Sequence, residues 1–275
     1  MQQRARSAAV FVPLLLLAVA IGRPAVVGVV LLGVVLGAVE AGRLLAAAGY
    51  RALPALGPLT ALGLVADTAL PAELRVGGPL LVGIALVLLA VAAFARPDPR
   101  DGLEAWLATL FGALYVAQLG FVVSLMDSPA ALPADAPLAW LGAERAWLLL
   151  LILAVWAYDT GAYLVGRQVG GPRFLTHLSP SKTYAGLAGG MIACTAVSGL
   201  ALWAIGAQPL GAILVGPLLG GAAQAGDLAE SMLKRAAGAK DSGTLIPGHG
   251  GVLDRIDSFL FAAPALVLYV TIAVR

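Results

Sequence analysis

Val76-Gly-Gly-Pro-Leu-Leu-Val-Gly-Ile-Ala-Leu-Val-Leu-Leu-Ala-Val-Ala-Ala-Phe-Ala95 decides the fold, because it holds no ionisable side chain and is flanked by Arg75 and Arg96. A helix of about 20 apolar residues crosses the hydrocarbon core of a bilayer. It does so because a helix satisfies its own backbone polar groups where there is no water. Similar runs recur on both sides, and spans are read over 8–22, 24–47, 54–70, 76–95, 103–126, 146–166, 183–206, 208–226 and 258–274. The run 54–70 is short and rich in proline and glycine, so a re-entrant segment is its alternative reading. Of 275 residues, 60% are hydrophobic and only 12% charged, about half the charge of a water-soluble domain. The chain is therefore expected to be an all-α polytopic membrane protein with about nine transmembrane helices, which excludes a disordered chain.

The charged residues set the orientation. With a cytoplasmic N-terminus, Arg23, Arg75, Arg145 and Arg275 fall outside and the other 13 of the 17 Lys and Arg fall inside. This bias follows the positive-inside rule and places the C-terminus outside. Removing the span at 54–70 would break the alternation. Arg4 and Arg6, the following apolar run and Ala18-Val-Ala20 also fit a secretory signal. A retained first span is preferred because the chain returns at once into 24–47, as in a helical hairpin. The single cysteine, Cys194, excludes an intramolecular disulfide framework. The basic residues sit in short loops, so no extended basic face for nucleic acid exists.

Residues 1–145, about five spans, read as a structural region. Residues 146–275 hold almost every group capable of chemistry, and the proline-rich stretch 127–145 separates the two. Around Gly226-Asp-Leu-Ala-Glu-Ser-Met-Leu-Lys-Arg235, helical spacing puts Asp227, Glu230, Ser231 and Lys234 on one face. Asp227 stands at the membrane exit of its span, where a carboxylate can bind a divalent ion. The plainer reading is a solvated helix end with a Glu230–Lys234 pair. In Leu245-Ile-Pro-Gly-His-Gly-Gly251, proline and glycine forbid a helix and expose N–H groups that can cradle phosphate oxygens. His249 suits a phosphate hydrogen bond better than a metal. Asp254 and Asp257 open the last span on one helical face, either as partners of the helix dipole or, for Asp254, as a second carboxylate for the metal at Asp227. Mg²⁺ asks for one or two carboxylates plus substrate phosphates.

A second group lies upstream. Asp159 sits within an apolar span and is a functional candidate by default, with a buried pairing to Arg167 or another cation as the alternative. In Ser179-Pro-Ser-Lys-Thr183, Lys182 and Thr183 stand at a helix N-terminus. Phosphate binding and a simple helix cap are both open there.

Taken together, Ser231-x-Leu-Lys-Arg-x4-Lys-Asp-x-Gly-x2-Ile-Pro-x-His-Gly-Gly-Val-x-Asp-Arg-Ile-Asp257 resembles the signature of the phosphatidate cytidylyltransferases, or CDP-diacylglycerol synthases. Asp159-Thr-Gly-Ala-Tyr-x2-Gly-Arg167 and Ser179-Pro-x-Lys-Thr-x2-Gly186 are similar to further motifs of that family. Ala185 departs from the pattern, standing where an acidic residue is usual. The resemblance covers about residues 156–260. It implies the reaction of CTP with phosphatidic acid to give CDP-diacylglycerol and pyrophosphate, in a bacterial inner membrane and commonly in a homodimer, with 1–145 as the structural and dimerisation part. It also implies Mg²⁺ on Asp227 and Asp254, with a monovalent cation such as K⁺ beside it.

Chemically, the phosphatidate phosphate is already a nucleophile, so in-line attack on CTP needs positioning and charge neutralisation alone. Lys234, Arg235, Lys240, His249 and Arg255 are expected to hold nucleotide phosphates, with Ser231, Gly250 and Gly251 around them. Lys182 and Ser179 are expected to hold one of the substrates. Asp159 and Asp241 are further binding candidates without an assigned ligand. All face the cytoplasm in the topology read from the arginines. A CDP-alcohol phosphotransferase is the nearest enzymatic alternative, but its paired aspartate motif is absent. A secondary transporter would hold its ionisable groups at the bilayer midplane within repeats, and no repeat is visible.

Overall fold

A computed structural model describes residues 2–127, 131–246, 248 and 250–273, and side chains from Val12 onward. Pro247 and His249 lie outside the described residues, as do the side chains of Arg4, Arg6 and Arg275. The chain forms α1 (Gln2–Ile21), α2 (Arg23–Ala47), α3 (Leu56–Ala69), α4 (Gly78–Ala93), α5 (Pro99–Ala117), α6 (Phe121–Met126), α7 (Ala143–Val169), α8 (Tyr184–Ala204), α9 (Ala212–Ala236) and α10 (Leu253–Ala273). A 3₁₀ turn joins α5 to α6. Among the described residues there is no strand, only isolated bridges between Arg173 and Thr183 and between Ile246 and Gly250.

Seven of the helical runs are long and apolar enough to cross a bilayer, so the chain is a multi-pass membrane protein. Each expected span has a helix at its place. The run expected over 54–70 contains only the 14-residue α3. At about 1.5 Å per residue such a helix falls short of the roughly 30 Å hydrocarbon core. Its end is fixed by the buried Asp67, whose carboxylate accepts Val76 N–H at 2.7 Å and Gly77 N–H at 3.1 Å. Arg23 donates to the Ala69 carbonyl at 3.1 Å.

The helices group into two compact units that interleave in sequence. One unit contains residues 1–123 and 230–256, the other 124–229 and 257–275. In the first, α2, α3 and α5 pack on one another, with α1 on α2 and α4 on α5. Val34, Ala61, Val65, Ala105, Ala113 and Val116 are buried there. Small side chains suit this packing, because helices in lipid associate through close van der Waals contact. Gly37 leaves room for the first turn of α10, where an added Cβ would stand 3.1 Å from Ile256 Cδ1.

In the second unit α7 and α8 pack extensively on each other. Trp147, Leu150, Leu151, Ala154 and Tyr158 form the buried stripe of α7, at the spacing of one helical face. Gly161 lets the backbones meet, since a Cβ there would stand 2.6 Å from Ala193 Cβ and 2.8 Å from the Gly189 carbonyl. The Tyr158 hydroxyl donates to Gln224 Oε1 of α9 at 2.8 Å.

Candidate active site

Within the first unit, the end of α9, the loop 237–252 and the first turn of α10 converge on Asp254. Helix α9 ends with Lys234 and Arg235 in its last turn, where cations suit the helix dipole. Lys234 Nζ donates to Glu230 Oε2 at 2.5 Å and to Asp254 Oδ1 at 2.7 Å. The expected Glu230–Lys234 pair is thus present, but it is not solvated, because Glu230 is fully buried. Asp254 Oδ2 accepts Ser242 N–H and Gly251 N–H, both at 2.8 Å, and lies 2.8 Å from Ser242 Oγ. One oxygen is saturated by the loop and the other is left to the lysine.

The glycines of the loop serve this carboxylate. Gly250 has φ +82° and an added Cβ would come within 2.5 Å of Asp254 Oδ2. Its carbonyl accepts Ile246 N–H at 2.9 Å, closing the turn. Of the other expected phosphate ligands, Arg235, Lys240 and Arg255 are exposed, as is Asp241, while Ser231 is buried. Arg235 donates to the Ala239 carbonyl at 2.9 Å. His249 lies outside the described residues.

One participant was missed by sequence reasoning. Glu40 of α2 is 5% exposed and accepts Val252 N–H at 3.1 Å and Leu253 N–H at 2.8 Å. The signal that could have found it is its position: between Arg23 and Arg43 it is the single ionisable residue. A carboxylate within an apolar span marks a functional position by default.

In the second unit, Lys182 forms an ion pair with Asp227 of α9. This joins two residues that the sequence singled out separately. Thr183 is the N-cap of α8, its hydroxyl accepting Gly186 N–H at 3.1 Å, so the cap reading holds for Thr183. Ser179 belongs to the preceding turn, donating its N–H to the Leu175 carbonyl at 3.0 Å. Asp159 is exposed rather than buried. The Arg167 guanidinium donates to Tyr163 Oη at 3.0 Å. Motif glycines Gly166 and Gly186 face each other across α7 and α8: a Cβ at Gly186 would stand 2.8 Å from the Ala162 carbonyl.

The donor set is hard oxygen, and among the described residues no three of His, Cys, Asp or Glu converge as a metal cage. Such a set suits an ion that completes its shell with water and substrate phosphates. The profile of the cytidylyltransferase family matches residues 2–273. The chain belongs to that family. Its similarity to individual members is concentrated in one segment. The phosphatidate cytidylyltransferase of Brucella suis biovar 1 (strain 1330) is 46% identical over 124 residues, 44% of this chain and 46% of that protein. The enzyme of that name from Synechocystis sp. (strain ATCC 27184 / PCC 6803 / Kazusa) is 46% identical over 131 residues, 46% of this chain and 44% of that protein. The one from Staphylococcus aureus (strain COL) is 42% identical over 130 residues, 44% of this chain and 47% of that protein. The matched segments thus span less than half the length of these curated relatives.

Proposed function

We propose that this member of the family is a phosphatidate cytidylyltransferase, joining CTP and phosphatidate into CDP-diacylglycerol with release of pyrophosphate. The observation that carries the reading is the convergence of the signature residues Lys234, Gly250 and Gly251 on Asp254, with Ser242 from within the same stretch. A phosphate oxygen of phosphatidate attacks the α-phosphorus of CTP. The bond from that phosphorus to the α–β bridging oxygen breaks, and pyrophosphate leaves with the oxygen and its electron pair.

Asp227 and Asp254 are the proposed carboxylate ligands of Mg²⁺, with a monovalent cation such as K⁺ accompanying it. Bound to triphosphate oxygens, Mg²⁺ would neutralise the charge that gathers on the leaving group. Each aspartate carries a lysine, so the ammonium groups are placed to turn from carboxylate to phosphate when nucleotide binds. Lys234, Arg235, Lys240, Arg255 and His249 would hold the triphosphate, with the turn at Gly250 and Gly251 beside it. Lys182 and Ser179 would hold one of the substrates, and Ser231, Asp159 and Asp241 would lie in the binding region. The enzyme would work at the cytoplasmic face of the inner membrane, as a homodimer.

The test is CTP-dependent pyrophosphate release by purified protein with phosphatidate and Mg²⁺. Release in wild type that disappears in Asp227→Ala and Asp254→Ala supports the reaction and the ligands together. Release surviving either substitution removes that aspartate from the metal site. Absence of release from folded wild-type protein, across a range of lipid phosphates, overturns the reading.

A further inference from the structure

Glu40 stands on α2, far in sequence from the signature, yet both of its oxygens are spent on it. Oε1 takes the Val252 N–H, and Oε2 takes the Leu253 N–H while lying 3.0 Å from Ser242 Oγ. These are among the first N–H groups of α10, which have no acceptor within their own helix. A helix normally meets this need with its own N-cap residue. Here a carboxylate from another helix does so, with the added benefit of its charge at the positive end of the dipole.

The loop is shaped to admit this side chain. A Cβ at Gly243 would stand 2.6 Å from Glu40 Oε1, and one at Gly251 would overlap both Glu40 Oε2 and Ser242 Oγ. Two signature glycines are therefore explained by Glu40 rather than by a phosphate. The same Ser242 hydroxyl lies 3.0 Å from Glu40 and 2.8 Å from Asp254. Its one proton serves one carboxylate at a time, and its oxygen also accepts Asp254 N–H at 3.2 Å. Glu40 thus shares the Ser242 hydroxyl with Asp254 Oδ2 and holds the two N–H groups that directly precede Asp254 in the chain, and so bears on where Oδ1 points.

We propose that Glu40 is a positioning residue for the transfer reaction, setting the orientation of Asp254 through Ser242 and the N-terminus of α10. This rests on the cytidylyltransferase reading above. Gln keeps the shape of Glu40 but turns an amide N–H₂ toward donors, so it loosens the loop without opening a cavity.

The experiment compares the full-length chain with Glu40→Gln and Glu40→Ala. Asp67→Asn, another buried carboxylate that accepts two N–H groups in the same unit, is the control. Hydrogen–deuterium exchange is read on peptides covering 239–256, and kcat and KM for CTP are read by pyrophosphate release. In Glu40→Gln, faster exchange confined to 239–256 is expected, with kcat lowered by about 10–100-fold, as for other residues that orient a ligand, and KM changed less. Asp67→Asn is expected to leave both readings of that segment and kcat near wild type.

Unchanged exchange over 239–256 in Glu40→Gln overturns the proposal. So does raised exchange with kcat intact, or an equal kcat loss in Asp67→Asn, which would make the effect generic. Exchange rising evenly through the chain assigns Glu40 a purely structural role and also overturns it. If wild type releases no pyrophosphate, the reaction reading fails by itself, and the exchange data still decide whether Glu40 holds the loop.

Discussion

Lys234 Nζ sits between Glu230 Oε2 at 2.5 Å and Asp254 Oδ1 at 2.7 Å. Its side chain is 11% exposed and that of Glu230 is fully buried. One cation therefore neutralises two carboxylates that burial would otherwise disfavour.

Lys234→Met is expected to leave both carboxylates without their ammonium. Removing one partner of a buried pair costs about 3–5 kcal/mol. The thermal midpoint in detergent should fall accordingly, and Glu230→Gln added to Lys234→Met should recover part of the loss. A midpoint equal to wild type in Lys234→Met would contradict the pairing.

The Lys182–Asp227 pair should behave differently. The Asp227 side chain is 34% exposed, and pairs open to solvent contribute about 1 kcal/mol or less. Asp227→Asn is therefore expected to keep the wild-type midpoint. Pyrophosphate release is expected to drop by about 10²-fold or more, the scale seen when a group that stabilises developing charge is lost. A parallel loss of folding and activity would point to a structural role instead.

At Gly250, alanine meets two penalties together. The left-handed conformation costs a non-glycine residue about 1–2 kcal/mol, and the new methyl presses on Asp254 Oδ2. Gly250→Ala should lower kcat more than the midpoint alone accounts for. Measuring both on one preparation separates the effects.

Thr183→Ala removes the hydroxyl that accepts Gly186 N–H, and loss of such a cap costs about 0.5–2 kcal/mol. Thr183→Ser should retain the wild-type midpoint, because serine offers the same acceptor. Chemical denaturation of the two variants in mild detergent checks the difference.

On the proposed reading, chelation should abolish pyrophosphate release and added Mg²⁺ should restore it, since among the described residues carboxylates are present without a complete protein cage and the ion would be completed by substrate phosphates. Release that persists in excess EDTA would remove the metal from the reaction.

The apolar helices were legible because membrane insertion is read locally: about 20 consecutive apolar residues suffice, whatever lies elsewhere in the chain. Even α3 was found in its place, with its weakness visible in its proline and glycine. The Thr183 cap stood in the sequence as one of two open readings, as capping depends on residues a few positions apart. Legible too was the signature around residues 231–257, whose residue types alone suggest phosphate and metal chemistry.

The set of apolar helices and the chemical character of residues 156–260 follow from the order of residues along the chain. Tertiary structure alone decided which distant groups meet: Lys182 with Asp227, Lys234 with Asp254, and Glu40 with the loop at Ser242 and the first turn of α10. The physical reason is range. Helix formation and capping depend on neighbours within a turn or two, whereas a buried carboxylate finds its donors wherever packing brings them, for Glu40 and Ser242 across 202 positions of chain.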